Sequence, residues 1–165
     1  MLSGNGVFAY LADAALQDRY AIVQTAHHDD AQLLLAFWES RPPDGIVMGR
    51  DVPSRSIASI LSSILIWEPV QDGADMRVRL AGASLEKRFG YDVKGRLMSE
   101  MFPPEAFRDH LRAVQKVIES GQVIIIDSHL SAGMVEKLHL EVVLFPVVAP
   151  DRKSKWVLTG TFYFA

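Results

Sequence analysis

The chain contains no cysteine. With no thiol there can be no thiolate nucleophile, no thiolate metal centre, no iron–sulfur cluster and no disulfide framework. Long apolar runs are missing too: nothing approaches the ~18 residues of a spanning helix. The opening MLSGNGVFAYLADAAL reaches Asp13 with no basic segment ahead of it, which argues against a secretory leader. Nor is there an excess of positive charge. Lys and Arg number 17 against 20 Asp and Glu, a formal net charge of −3, so no general attraction to nucleic acid or anionic membrane is expected. Finally, the serines sit in no G-x-S-x-G elbow, and neither H-E-x-x-H nor a P-loop occurs. The expectation is a cytoplasmic, non-enzymatic protein with neither nucleic acid nor membrane as partner.

What is present suffices for a substantial core. A chain of 165 residues with 49% hydrophobic content buries roughly 68–70% of the surface its unfolded form exposes. Its first third reads as helical. Ala9 to Thr25 is a helix-forming stretch, and a second helix follows in DDAQLLLAFWES, with Asp29 or Asp30 as cap and Leu33, Leu34, Phe37 and Trp38 as the buried stripe. RPPDGIVMGRDVP is a loop. Ser54 then caps a third helix carrying Ile57, Ile60, Leu61 and Ile64.

Beyond residue 64 the pattern changes to strands. ILIWEPV and MRVRLAGA flank QDGAD and form a hairpin. Pro104, Glu105, Phe107, Leu111, Val114 and Ile118 describe one amphipathic helix closed by Gly121. Three strands follow, QVIIIDSHL, EKLHLEVVLFPVV and KWVLTGTFYFA. In LHLEVVLF one face carries Leu138, Leu140, Val142 and Leu144 and the other Val143 and Phe145, so both faces of the sheet should be covered.

From the second strand of the hairpin toward the long helix runs RVRLAGASLEKRFGYDVKGR, six basic residues and three glycines in twenty. The glycines do not form G-x-G-x-x-G, and no strand leads directly into a phosphate-facing helix. They are spaced for turns: Ser84 caps a short helix, Gly90 stops it, and Asp92 to Gly95 has the residues of a type I turn.

The order of two strands, short helices, one connecting helix and three strands resembles the PAS fold. More specifically it is similar to single-domain PAS-like proteins of alpha-proteobacteria with a helical N-terminal extension. The resemblance is carried by LLLAFWES (33 to 40), MGRDVPSR (48 to 55), RLAGASLEKRFGYDVKGRLMSEMFP (79 to 103) and LEVVLFPV (140 to 147). It implies an α+β fold with a five-stranded antiparallel sheet and helical crossover over residues 65–165, behind a helical extension at 1–64. It also implies a sensory module, homodimeric, working through an unknown signalling protein bound in trans and gated by a small ligand between sheet and long helix. Pocket residues expected on this basis are Trp67, Arg79, Phe89, Phe102, Phe107, His110 and Phe162.

Cofactors can be weighed residue by residue. Adduct-forming flavin chemistry in this fold needs a cysteine and is excluded; non-covalent flavin stays open. Haem in such proteins takes a histidine from the long helix, which here is His110; the alternative is a boundary histidine with its ring edge in water. A metal at HHDD (27 to 30) is weighed against simple helix capping. His139 and Glu141 share a strand face and could do acid–base work, or make only a polar contact. Arg79 would either bind a ligand carboxylate or pair with Glu39, Glu68 or Asp75.

Overall fold

The computed structural model describes residues 17–132 and 136–165. Six strands, β1 (Gln17–Val23), β2 (Ile64–Val70), β3 (Asp75–Ala81), β4 (Ile124–Ala132), β5 (Glu136–Val148) and β6 (Lys155–Tyr163), form one antiparallel sheet in the order β1-β4-β5-β6-β2-β3. The helices are α1 (Asp29–Glu39), α2 (Ala83–Phe89), α3 (Met98–Met101) and α4 (Pro104–Ser120), with a 3-10 stretch at Arg55–Ser63. This is a PAS-like α+β architecture, with one more strand than expected.

The extra strand is β1, and it corrects the helix expected from Ala9 to Thr25. The part of that helix before Gln17 lies outside the described residues. Gln17–Val23 instead pairs with β4, with Tyr20 opposite Ser128 and Ile22 opposite Ile126. The free edge of β4 offers backbone partners to a segment rich in aromatic and β-branched residues, and that pairing outweighs local helix propensity.

The pleat sorts side chains into two cores. On one face Leu65, Trp67, Met76, Val78, Ile126, Leu140, Leu144 and Val157 pack against α2, α3 and α4. On the other Ile64, Ile66, Ile125, Val143, Phe145, Leu158 and Phe162 meet α1 and the 3-10 stretch. The alternation expected along β5 is therefore observed. α1 lies so close to β6 that a Cβ on Gly160 would stand 2.5 Å from Leu34 Cδ2; a mid-strand glycine here permits the contact.

Several local devices fix the helices. The N-cap of α1 is His28, whose Nδ1 accepts from the Asp30 amide at 3.0 Å; Asp29 and Asp30 fall in the first turn, where they suit the helix dipole. Ser54 caps the 3-10 stretch as expected. α2 starts at a Gly82 cap, which puts Ser84 inside the helix, and Gly90 ends it with φ +82°. The following turn is shifted by one from the expected Asp92–Gly95. Arg96 N donates to Val93 O at 2.9 Å, which puts Gly95 third in the turn with φ +85°. α4 begins at Pro104 and ends at a left-handed Gly121. It is tied to the β2–β3 hairpin by Gln115 Nε2 donating to Gly73 O at 2.8 Å. Buried Asp75 takes the Ser99 amide and hydroxyl, joining β3 to α3.

Candidate ligand cavity

Between the sheet and α4 lies a cavity of about 60 Å³. Its walls are Leu65 and Trp67 of β2, Leu85 and Phe89 of α2, Phe102, His110 and Val114 beside and on α4, Ile126 and Ser128 of β4, Leu140, Val142 and Leu144 of β5, Thr159 and Thr161 of β6, and Tyr20 of β1. The lining is mainly apolar with a few polar groups, the usual character of a small-molecule site.

Four of the expected pocket residues, Trp67, Phe89, Phe102 and His110, are brought together here. Three are not. Phe107 packs against this core from α4 without reaching the cavity wall. Phe162 points to the opposite core, because the period-2 alternation along β6 gives Thr159 and Thr161 to the cavity and Phe162 to the α1 side. Arg79 is exposed on β3 and stands over the Trp156 ring at 5.2 Å. Its neighbour on that face, Arg77, takes Glu68 at 3.7 Å. The other basic residues of that stretch also disperse, Arg88 over Tyr163 at 3.8 Å and Arg96 over Tyr91 at 5.2 Å.

The polar end of the cavity is built from three elements. Tyr20 reaches in from β1, and its ring meets the His110 imidazole edge-on at 5.8 Å. Phe102 also packs against His110, tilted, at 4.6 Å. Among the described residues the Tyr20 hydroxyl is buried with no hydrogen-bond partner, and so is that of Tyr163. Burial drives the ionisation of both phenols far up, so both are neutral O–H groups; nearby Asp109 adds to this at Tyr20, and Arg88 opposes it at Tyr163. Burial pushes His110 down to about 4, against the opposing charge of Asp109, so the imidazole is neutral at pH 7. By surface area His110 is half-buried, and the protein packed around it is what disfavours its charged form. Thr159 Oγ1 donates to Leu65 O at 3.0 Å.

This chemistry can hold a neutral polar group: Tyr20 offers a donor, and His110 one donor and one acceptor. An ionised group would be costly among these apolar walls. Haem does not fit. Pockets for drug-sized ligands run to roughly 300–1,000 Å³, several times the volume here, and Phe102 and Tyr20 already pack against the His110 ring. The same size limit applies to a flavin ring system.

Sequence reasoning missed Tyr20 because it lay within an expected helix. Ser128, Thr159 and Thr161 could have been found from strand alternation, since they share the face of Ile126 and Val157. The HHDD segment is spent on structure: His28 caps α1 and sets Nε2 3.0 Å from Tyr163 O. The two residues of the expected acid–base pair, His139 and Glu141, are occupied separately. Glu141 is fully buried and accepts the backbone N–H groups of His27 and His28 at 2.9–3.0 Å, while His139 bonds Asp127.

No curated protein matches the chain. Among solved structures it is similar to the light-state dimer of the fungal blue-light photoreceptor Vivid, with 12% identity and a TM-score of 0.42, over 84% of this chain and 97% of that one. No helix among the described residues is long and apolar enough to cross a membrane. The PAS domain family model matches residues 26–162, a span that begins before α1, crosses the division expected at 64/65 and ends in β6, and the chain therefore belongs to the PAS domain family.

Proposed function

We propose that the protein is a non-enzymatic sensory module whose cavity takes a small neutral molecule, mainly apolar with one carbonyl or hydroxyl group. The observation that carries this reading is that Tyr20, whose hydroxyl is buried without a partner among the described residues, lines the cavity together with a neutral His110. A buried orphan hydroxyl costs about 1–3 kcal/mol, and a ligand oxygen accepting from it recovers that cost. The volume limits the occupant. At about 60 Å³ the cavity holds on the order of four waters, or a ligand of comparable bulk, unless its walls yield.

The same tyrosine supplies a route to output. Among the described residues β1 is an edge strand that pairs with β4 alone, and Tyr20 joins it to α4 through a ring contact with His110. An occupant that pairs with Tyr20 favours a seated β1, and loss of the occupant weakens that seat. The signal passes through protein contacts, in a homodimer and to a signalling protein in trans. Exposed Ile22 on β1 and Leu80 on β3, at the two edges of the sheet, support an association surface.

Tyr20→Phe tests this. In protein stripped by unfolding, dialysis and refolding, the variant should match or exceed wild-type stability by about 1 kcal/mol in urea, because it no longer buries an orphan hydroxyl. As purified, the wild type should be more stable than its own stripped form, and the variant should show little such difference. Equal responses of the two proteins to stripping would refute the role given to Tyr20.

A further inference from the structure

The protein has five histidines, and two of them converge with a carboxylate on the sheet face opposite the cavity. Antiparallel register sets His129 of β4 directly across from His139 of β5, and Asp127, two residues before His129, shares their face. His139 Nε2 lies 2.6 Å from Asp127 Oδ1 and His129 Nε2 lies 3.3 Å from Asp127 Oδ2. One donor atom from each of the three residues falls within 4.8 Å of the others.

We propose that Asp127, His129 and His139 form a binding site for a divalent transition-metal ion, zinc or a borderline ion of similar preference. Two imidazole nitrogens and one carboxylate oxygen suit such an ion, and three protein ligands leave a coordination position for water or a partner's side chain. The orientation is partly set beforehand. The His139 ring is held between His129 at 4.0 Å and Phe164 at 4.1 Å, both nearly parallel to it. Asp127 is buried, with its side chain 11% exposed, while the His129 and His139 side chains are 40% and 37% exposed. The site thus has a fixed carboxylate at its base and an open mouth. Zinc ligands lie about 2.0–2.2 Å from the ion, so metal entry replaces the direct Asp127–His139 hydrogen bond, and the stacked rings must tilt until their lone pairs meet. His129, with the more exposed side chain of the two, has the freedom to do this. Glu141, opposite Asp127, is not counted as a ligand, because its oxygens are taken by the His27 and His28 amides.

The site shares no residue with the cavity and stands or falls independently of the ligand proposal. The test uses tag-free, chelator-treated protein titrated with ZnCl2 by calorimetry, with CoCl2 titrated in parallel and followed by visible absorption. One equivalent of zinc should bind at micromolar concentration, and cobalt should give ligand-field bands. His129→Gln, at an exposed position where the fold tolerates change, should weaken zinc binding by at least about tenfold, and the His129→Gln/His139→Gln double variant should abolish it. Absence of zinc uptake by the wild type, or uptake unchanged in the double variant with its circular dichroism intact, would overturn the proposal.

Discussion

His110 is the side chain through which acid acts on the cavity. Its folded value, about 4, lies below the ordinary 6.5 of an unfolded histidine. As pH falls the unfolded chain therefore takes up the proton first. The stability that neutral His110 contributes is complete above about 6.5 and is lost progressively between there and about 4, a loss of up to about 3 kcal/mol. Urea unfolding at pH 7 and pH 4.5 measures this. Wild type should lose more stability than His110→Phe over the interval, and the difference between the two proteins isolates His110 from the carboxylates that titrate in both. Equal losses would mean that the imidazole is better solvated than its packing against Phe102 and Tyr20 implies.

At the scale of elements, the packing of α1 on β6 rests on a glycine. A side chain at Gly160 would meet Leu34 Cδ2 at 2.5 Å and Phe162 Cζ at 2.8 Å, and both residues are buried. Gly160→Val should cost about 1–3 kcal/mol through overpacking. In a Leu34→Ala background the penalty should shrink, so that in a double-mutant cycle measured with urea the double variant is destabilised by less than the sum of the two single changes; purely additive effects would place the strain elsewhere.

Much at this scale was legible in the sequence. The two-sided apolar pattern of β5 and the proline-to-glycine bounds of α4 are local signals, and local sequence decides them. β1 was not legible in this way, since its strand state is imposed by the open edge of β4, more than a hundred residues away in the chain. The candidate site divides along the same line. Trp67, Phe89, Phe102 and His110 were expected from the resemblance to the fold, as large or polar-tipped residues near its cavity, whereas Tyr20 depends on that long-range pairing. Phe162 and Arg79 lie away from the cavity for another reason: the pleat of β6 turns Phe162 to the α1 side, and Arg79, at a register shift between β2 and β3, stands over Trp156.

For the whole molecule, the two cores give the sheet different duties. The α1 side is filled by Trp38 stacked on Phe145 at 5.0 Å and by Leu34 against Gly160, a rigid backing. On the α4 side the apolar packing is interrupted by a cavity that gathers residues from β1, β2, β4, β5, β6, α2 and α4. In the proposed reading a small occupant there would touch nearly all of these elements and would bias β1, which is paired along one edge among the described residues. Native mass spectrometry of freshly purified protein tests this directly, because it reports bound mass and oligomeric state together. The account predicts a dimer in which each chain carries a small non-covalent molecule, and a folded Val142→Phe variant, its cavity filled, that carries none. A strict monomer at the bare chain mass, or an adduct retained unchanged in the filled variant, would contradict it.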